Sequence, residues 1–177
     1  LIRADKIFTS DNLNDFYKNH YRNTSNDNAA KFIEPNEFYK KQAVKGIDIY
    51  KTTLTGGDFT ELEKLSSAIN SEDIREYAPI LSYGGKFLFT QVYNGKDDFG
   101  GDDIYVSKKD DKGNWLPSKN LGNLINTNMN ECPVEITSDG KYFFFTRDLK
   151  DNPEDYDGIA SIYFVETNAL KLEELFE

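Results

Sequence analysis

A stretch of about 55 residues occurs twice in this chain, and this internal repeat constrains the fold more than any other feature. The first copy begins at Gly46 and reads GIDIYKTTLTGGDFTELEKLSSAINSEDIREYAPILSYGGKFLFTQ. The second begins at Gly101 and reads GDDIYVSKKDDKGNWLPSKNLGNLINTNMNECPVEITSDGKYFFFTR, and a third starts at Ile162. A repeat of this length is one supersecondary unit that buries its apolar surface only by stacking on its neighbours.

Each copy contains four short apolar segments separated by turn residues, which is the pattern of antiparallel strands. Strands are predicted to start at Asp48, Phe59, Tyr77 and Lys86 in the first copy, and at Asp103, Trp115, Cys132 and Tyr142 in the second. Asp139–Gly140 gives the strongest hairpin signal, and Pro79 indicates a strand end or a bulge. The pattern predicts an all-β fold: a partial β-propeller of about two to three four-stranded antiparallel blades, with a short C-terminal helix.

The repeat divides the chain into four segments of one domain. The predicted segments are residues 1–45, the end of a preceding blade plus a long polar excursion; residues 46–100 and 101–158, one blade repeat each; and residues 159–177, a partial blade and the helix. Lys6–Thr9 is the predicted strand of the preceding blade, and Asn168 can cap the helix. Because a propeller normally closes with about four to eight blades, we expect further blades from the same or another chain.

Composition excludes several functions. The chain carries 31 acidic and 21 basic residues, a formal net charge of −10, so we expect no nucleic-acid binding. No apolar run approaches the roughly 18 residues that a membrane helix needs, so membrane insertion is not expected. The single cysteine, Cys132, lies in an apolar stretch far in sequence from the single histidine, His20, and its thiol is predicted to be an inert packing group.

Several short motifs, most of them in the second copy, together resemble a known repeat. Pro133 with Thr137–Thr146, TSDGKYFFFT, is similar to a P-x-x-S-P-D-G-K-x-L-x-F-x-S core, although Ser138 stands where that core usually has proline. The matches to G-G-x-D-I-Y and W-x-x-P-x-N-L-G-x-x-I-N-T lie at Gly100–Ser107, Trp115–Pro117, Asn120–Gly122 and Ile125–Thr127. Over residues 46–175 the chain thus resembles the WD-repeat-like, TolB-type β-propeller repeat of bacterial envelope proteins.

The resemblance implies a fold, a compartment and a broad function. It implies the C-terminal half of a roughly six-bladed propeller that is exported to the periplasm or the outer surface. Members of this family are mostly binding scaffolds or uncharacterised. The resemblance therefore implies a binding role and supplies no catalytic residue.

Polar residues in the loops at one rim are the candidates for a ligand site, because propellers place ligands on their loops. The predicted binding residues are Asn70, Arg75, Tyr93, Asn94, Asn126 and Asn130. The leading hypothesis is a non-catalytic scaffold that presents this rim to a protein, peptide or glycan partner. Trp115 and its counterpart Phe59 are interpreted as packing residues of the blade.

Two alternatives use the abundant acidic residues. A carbohydrate-active hydrolase of the retaining type needs two carboxylates about 5 Å apart, and the sequence offers acids without indicating such a pair. A Ca²⁺-stabilised module would use the acidic loops at residues 97–103 and 148–157, although neither has EF-hand spacing. In the favoured interpretation no cofactor is bound, and Asp103 hydrogen-bonds neighbouring backbone groups to fix the blade.

Overall fold

The fold is built almost entirely from β-strands. The computed structural model describes the backbone of residues 5–9, and it describes residues 47–72, 74–93, 95–148 and 160–177 in full. Across these residues the chain forms three antiparallel sheets, and its helices are short 3-10 turns. The prediction of an all-β chain is therefore confirmed.

Sheet 1 contains strands β1 (Asp5–Thr9), β2 (Ile49–Thr55), β3 (Asp58–Phe59) and β4 (Glu63–Lys64). β2 pairs with β1 along one edge and with β3 and β4 along the other. The strand predicted to start at Phe59 is interrupted, because the Thr60 hydroxyl accepts the Thr53 N–H at 3.0 Å where a backbone carbonyl would otherwise continue the ladder. The strand predicted at Lys6–Thr9 is present in β1.

Sheet 2 contains β5 (Arg75–Leu81), β6 (Phe87–Tyr93), β7 (Asp102–Lys108) and β8 (Lys119–Asn120), in this spatial order. It combines the second half of one repeat copy with the first half of the next. The outer strand was expected at Trp115 and begins later, at Lys119. Trp115 makes a single bridge to Lys109, and Pro117, which has no backbone N–H, precedes β8.

Sheet 3 contains β9 (Glu131–Ile136), β10 (Tyr142–Asp148) and β11 (Ala160–Glu166), with β10 in the middle. The predicted turn at Asp139–Gly140 joins β9 to β10, and the Gly140 N–H donates to the Thr137 carbonyl at 2.7 Å. The two hairpins that open sheets 2 and 3 therefore arise from equivalent parts of the repeat.

Both of these hairpins carry a bulge beside a proline. In β5 the register against β6 shifts between Tyr77 and Ile80, and Ala78 adopts a φ of +47°. In β9 the shift falls between Pro133 and Glu135. Proline cannot donate to the ladder, so it is tolerated at a bulge, where the ladder is already interrupted. Of the two predictions for Pro79, a strand end or a bulge, the structure shows the bulge.

Sheet 2 lies between the other two sheets and packs against both. Successive residues of its strands point to opposite faces, so neighbouring side chains contact different sheets. Leu88 packs with Ile49 and Leu65 on the side of sheet 1. Its neighbour Phe89 packs on the side of sheet 3, where its ring centroid lies 4.6 Å from that of Phe143. The edge strand β5 also contacts β1 on one side and β9 on the other, so the three sheets stack face to face.

The predicted short C-terminal helix is present, as helical turns of the 3-10 type. It forms two 3-10 turns, Thr167–Leu170 and Glu174–Phe176. The predicted cap at Asn168 is wrong: the first turn starts after Glu166, and no side chain caps it. Lys171 takes a left-handed conformation that ends this turn. Leu170 and Leu172 are still buried, against the core that sheets 2 and 3 share.

We predict that Phe143→Ala lowers the free energy of unfolding by about 3 to 5 kcal/mol, because the substitution leaves a cavity between sheets 2 and 3. The control is Tyr83→Ala, since that ring is 79% exposed at a hairpin tip; we expect a change within about 0.5 kcal/mol. Urea unfolding followed by circular dichroism measures both. Equal effects of the two substitutions would contradict the stacking of sheets 2 and 3.

Candidate functional site

The two predicted residues Asn70 and Asn126 lie inside the scaffold. The Asn70 amide accepts the Ile49 N–H at 2.7 Å and donates to the Ile49 carbonyl at 2.9 Å. The Asn126 amide makes the same pair of hydrogen bonds to Ile104, both at 2.9 Å. The two residues are 4% and 1% exposed. Each amide therefore completes the ladder of β2 or β7 where a neighbouring strand is missing, and we ascribe to both a structural role.

A buried glutamate follows each of these asparagines. Glu76 accepts the Ser71 N–H at 2.9 Å, and Glu131 accepts the Thr127 N–H at 3.0 Å. The glutamates are 2% and 0% exposed. Each glutamate closes the loop that leads from one sheet to the next. We call each Ile-Asn-Ser/Thr segment, together with the glutamate that follows it, a connector; both copies of the repeat contain one.

The two connectors differ in how the glutamate charge is balanced. Arg147 pairs directly with Glu131 across the sheet, and its Nε donates to Glu131 at 2.7 Å. Val92 stands at the equivalent place opposite Glu76. Among the described residues, one oxygen of Glu76 has no hydrogen-bond partner. Burial therefore raises the pKa of Glu76 to about 7.

Asp48 and Asp103 also act inside the scaffold. Lys64 Nζ donates to Asp48 at 2.7 Å. Asp103 accepts the Phe99 N–H at 2.8 Å and the Asn120 amide at 2.7 Å, so the backbone-fixing role predicted for it is confirmed. Burial raises the pKa of the Asp103 carboxyl to about 6.

The structure brings three of the predicted binding residues to one end of sheets 2 and 3. In the register of sheet 2, Arg75 stands opposite Tyr93, and Tyr93 stands opposite Asp102. The Arg75 guanidinium lies 5.7 Å from the centre of the Tyr93 ring, which is 42% exposed. Asn130 accepts the Asp102 N–H at 2.9 Å and donates to Asp148 at 2.7 Å. Asn94 lies outside the described residues.

Asp102 is the centre of this arrangement. Its carboxylate accepts hydrogen bonds from the Tyr77 hydroxyl and, at 3.0 Å, from the Gln91 amide. Burial raises the pKa of Asp102, and nearby Asp148 adds to that effect. We call this set the rim cluster: Arg75, Tyr77, Gln91, Tyr93, Asp102, Asn130 and Asp148. Sequence reasoning did not assign Tyr77, Gln91, Asp102 or Asp148 to the binding site. Only the pairing of β5, β6 and β7 brings the first three together, and the Asn130 side chain links Asp148 to them.

The thiol of Cys132 lies near the rim cluster. Burial raises its pKa to about 11, and the carboxylates of Asp102 and Asp148 add to the shift. The thiol is therefore protonated at neutral pH, which supports its interpretation as an unreactive group.

Of the two acidic loops proposed to bind Ca²⁺, the structure describes the one at residues 97–103. In the loop at residues 97–103, the Asp103 carboxylate binds protein donors. Within the described part of the chain, no three or more His, Cys, Asp or Glu side chains come together as metal ligands. Most of the loop at residues 148–157 lies outside the described residues. Calcium binding stays a prediction.

A concave surface lies at the opposite ends of the strands from the rim cluster. A groove of about 540 Å³ runs between the hairpin turns at residues 82–87 and 136–140 and the C-terminal segment. Phe87, Ile136 and Leu172 contribute apolar lining, and Lys86 binds Glu173 at its edge. The sequence did not indicate this groove, because its three walls are far apart along the chain.

No protein-family model matches the sequence, and no curated protein matches it. In the described residues, none of the helices has the length and apolar character needed to cross a bilayer.

We predict that Asn126→Ala lowers the free energy of unfolding by about 1 to 3 kcal/mol, because it leaves the buried N–H of Ile104 without a partner and removes one of the two donors to the Ile104 carbonyl, which keeps the Leu121 N–H. Asn128→Ala is the matched control, since Asn128 is exposed, and it should change stability by less than about 0.5 kcal/mol. Thermal unfolding of the two variants gives the comparison. A similar melting temperature for both would show that the Asn126 amide does not stabilise β7.

We also predict that Glu76 makes stability fall as pH rises. Its folded pKa of about 7 lies above the ordinary value of 4.5, so between these pH values the folded state holds a proton that the unfolded chain has released. The contribution is favourable below pH 4.5 and is lost as pH rises through about 7.

Glu76→Gln should therefore stabilise the protein by on the order of 2 kcal/mol at pH 8 and have little effect at pH 4.5. Glu131→Gln, the control, should destabilise it at pH 8, because Arg147 loses its carboxylate partner. Urea unfolding across this pH range measures both variants. If Glu76→Gln destabilises the protein at pH 8, the interpretation of Glu76 as an uncompensated acid is wrong.

Proposed function

We propose that this chain is a non-catalytic binding scaffold that forms part of a β-propeller and presents the rim cluster to a protein, peptide or glycan. The observation that carries this proposal is the placement of Arg75, Tyr93, Asp102 and Asn130 at one end of two stacked sheets. In the proposal, the scaffold lies in the periplasm or on the cell surface, as the resemblance to the TolB-type repeat implies.

The stacking of the sheets supports the propeller part of the proposal. Sheet 2 buries Leu88 on one face and Phe89 on the other, and its edge strand β5 lies beside β1 and β9. Blades arranged around a common axis have their inner strands adjacent in this way. In the complete assembly further blades come from the same or another chain.

The chemistry of the rim cluster supports a polar or aromatic ligand. The Tyr93 ring and the Arg75 guanidinium offer a flat, cationic surface, and the Arg75 side chain is exposed. Asp102 and Asn130 are partly buried and held by internal hydrogen bonds, so they keep a fixed geometry when a ligand arrives. Fixed polar groups beside an aromatic ring suit peptide and sugar ligands.

The arrangement of the acids supports a binding role rather than catalysis. Glu131 and Asp103 are fully buried and use their carboxylates to hold loops and strands. At the rim, Asp102 accepts two internal donors and Asp148 accepts the Asn130 amide. Acids engaged in this way stabilise the scaffold that carries the exposed Arg75 and Tyr93.

The double variant Arg75→Ala/Tyr93→Ala tests the proposal. A ligand for the wild-type chain is first selected from a displayed peptide library and a glycan array, and its affinity is then measured by calorimetry. We expect at least a tenfold loss of affinity in the variant, because the exposed contact surface is removed.

The matched control is Tyr83→Ala/Lys86→Ala on the opposite rim, where both side chains are exposed. It should keep the wild-type affinity. Selected ligands that bind both variants equally would refute the rim cluster as the binding surface, and so would ligands that lose affinity only with the control.

A further inference from the structure

The outward face of sheet 3 leaves large apolar side chains uncovered. Ile162 and Phe164 in β11 are 71% and 65% exposed. Beside them on the same face, the Phe164 ring packs edge-on against Tyr142 and tilted against Phe144, with both ring-centroid distances 5.8 Å. Soluble proteins seldom expose such a continuous aromatic patch unless it is an interaction site.

The internal repeat indicates what covers this face. The Ile-Tyr pair at Ile162 corresponds to that at Ile104, so Phe164 corresponds to Val106. Ile104 and Val106 are both 0% exposed, because sheet 3 lies over them. Phe144, in turn, corresponds to Phe89, which stacks on sheet 3. The uncovered face is therefore the counterpart of one that is buried by another sheet of this repeat.

Sheet 1 has features that suit it to this position. Phe8 stands directly opposite Tyr50 in sheet 1, as Phe145 stands opposite Tyr163 in sheet 3. Phe145 is 4% exposed in the core shared by sheets 2 and 3. Sheet 1 thus carries an aromatic residue at the register position that sheet 3 uses when it covers sheet 2.

We propose that the outward face of sheet 3 binds sheet 1 of a second copy of this chain, so that two copies close a ring of six sheets. The described residues of each copy contribute three sheets, and six lies within the range of about four to eight at which propellers close. The contact is head-to-tail: sheet 3 of the first copy binds sheet 1 of the second. The ring closes at two copies, because sheet 3 of the second copy binds sheet 1 of the first. This inference extends the proposed propeller architecture and is independent of the rim ligand.

Sedimentation velocity over a concentration series tests the inference. The wild-type chain should sediment as a dimer of twice 20.3 kDa. Ile162→Asp/Phe164→Asp should weaken association at least 100-fold and give a monomer, because two charges would be buried in an apolar contact. Both side chains are exposed in the single chain, so the monomer should keep the wild-type circular dichroism spectrum.

The matched control is Tyr83→Asp/Leu124→Asp, which changes two apolar side chains that are 79% and 56% exposed elsewhere. This variant should remain dimeric. The inference is overturned if the wild-type chain is monomeric at about 100 μM, if it forms open polymers larger than a dimer, or if Ile162→Asp/Phe164→Asp stays dimeric. Loss of dimerisation together with retained rim-ligand binding would leave the proposed binding function intact, whereas loss of ligand binding alone would leave the ring intact.

Discussion

The structure depends on one constraint: a sheet that is apolar on both faces must have a neighbour on each side. Leu88 and Phe89 are adjacent in β6, so they point in opposite directions, and both are fully buried. Neither sheet 1 nor sheet 3 alone could cover both side chains. Sheet 2 is therefore stable only in a stack, and the same constraint applied to sheet 3 is the reason for proposing a cover over Phe164.

Polar groups inside the stack fix how one sheet leads to the next. Asn70 and Asn126 hydrogen-bond the backbone of β2 and β7, and Glu76 and Glu131 hold the loops that follow. These groups are buried, so an incorrect path would leave them without partners. The connectors thus set the direction of the strands that follow them, β5 and β9. The direction of β5 in turn places Arg75 in the rim cluster.

Much of the fold could be predicted from the sequence, because strand and turn signals in the repeat are local. The hairpin at Asp139–Gly140 and the bulge at Pro79 follow from residues only a few positions apart. The short C-terminal helix could be predicted from its leucines, but its division into two 3-10 turns could not, since the leucine spacing does not reveal the left-handed Lys171. The candidate site was harder to predict. Asn70 and Asn126 are polar loop residues in the sequence, yet both are buried and hydrogen-bond to strands that are distant in the sequence. Asp102 joins Tyr77 and Gln91 only through strand register, which no local pattern encodes.

The face-to-face stacking of the sheets is tested most directly by nuclear magnetic resonance. With phenylalanine ring protons assigned, we expect a nuclear Overhauser effect between Phe89 and Phe143, whose ring centroids lie 4.6 Å apart. We also expect an effect between Leu88 and the side chains of Ile49 or Leu65. If the Phe89 ring showed no effect to Phe143 while the strands remained intact, sheets 2 and 3 would not stack face to face.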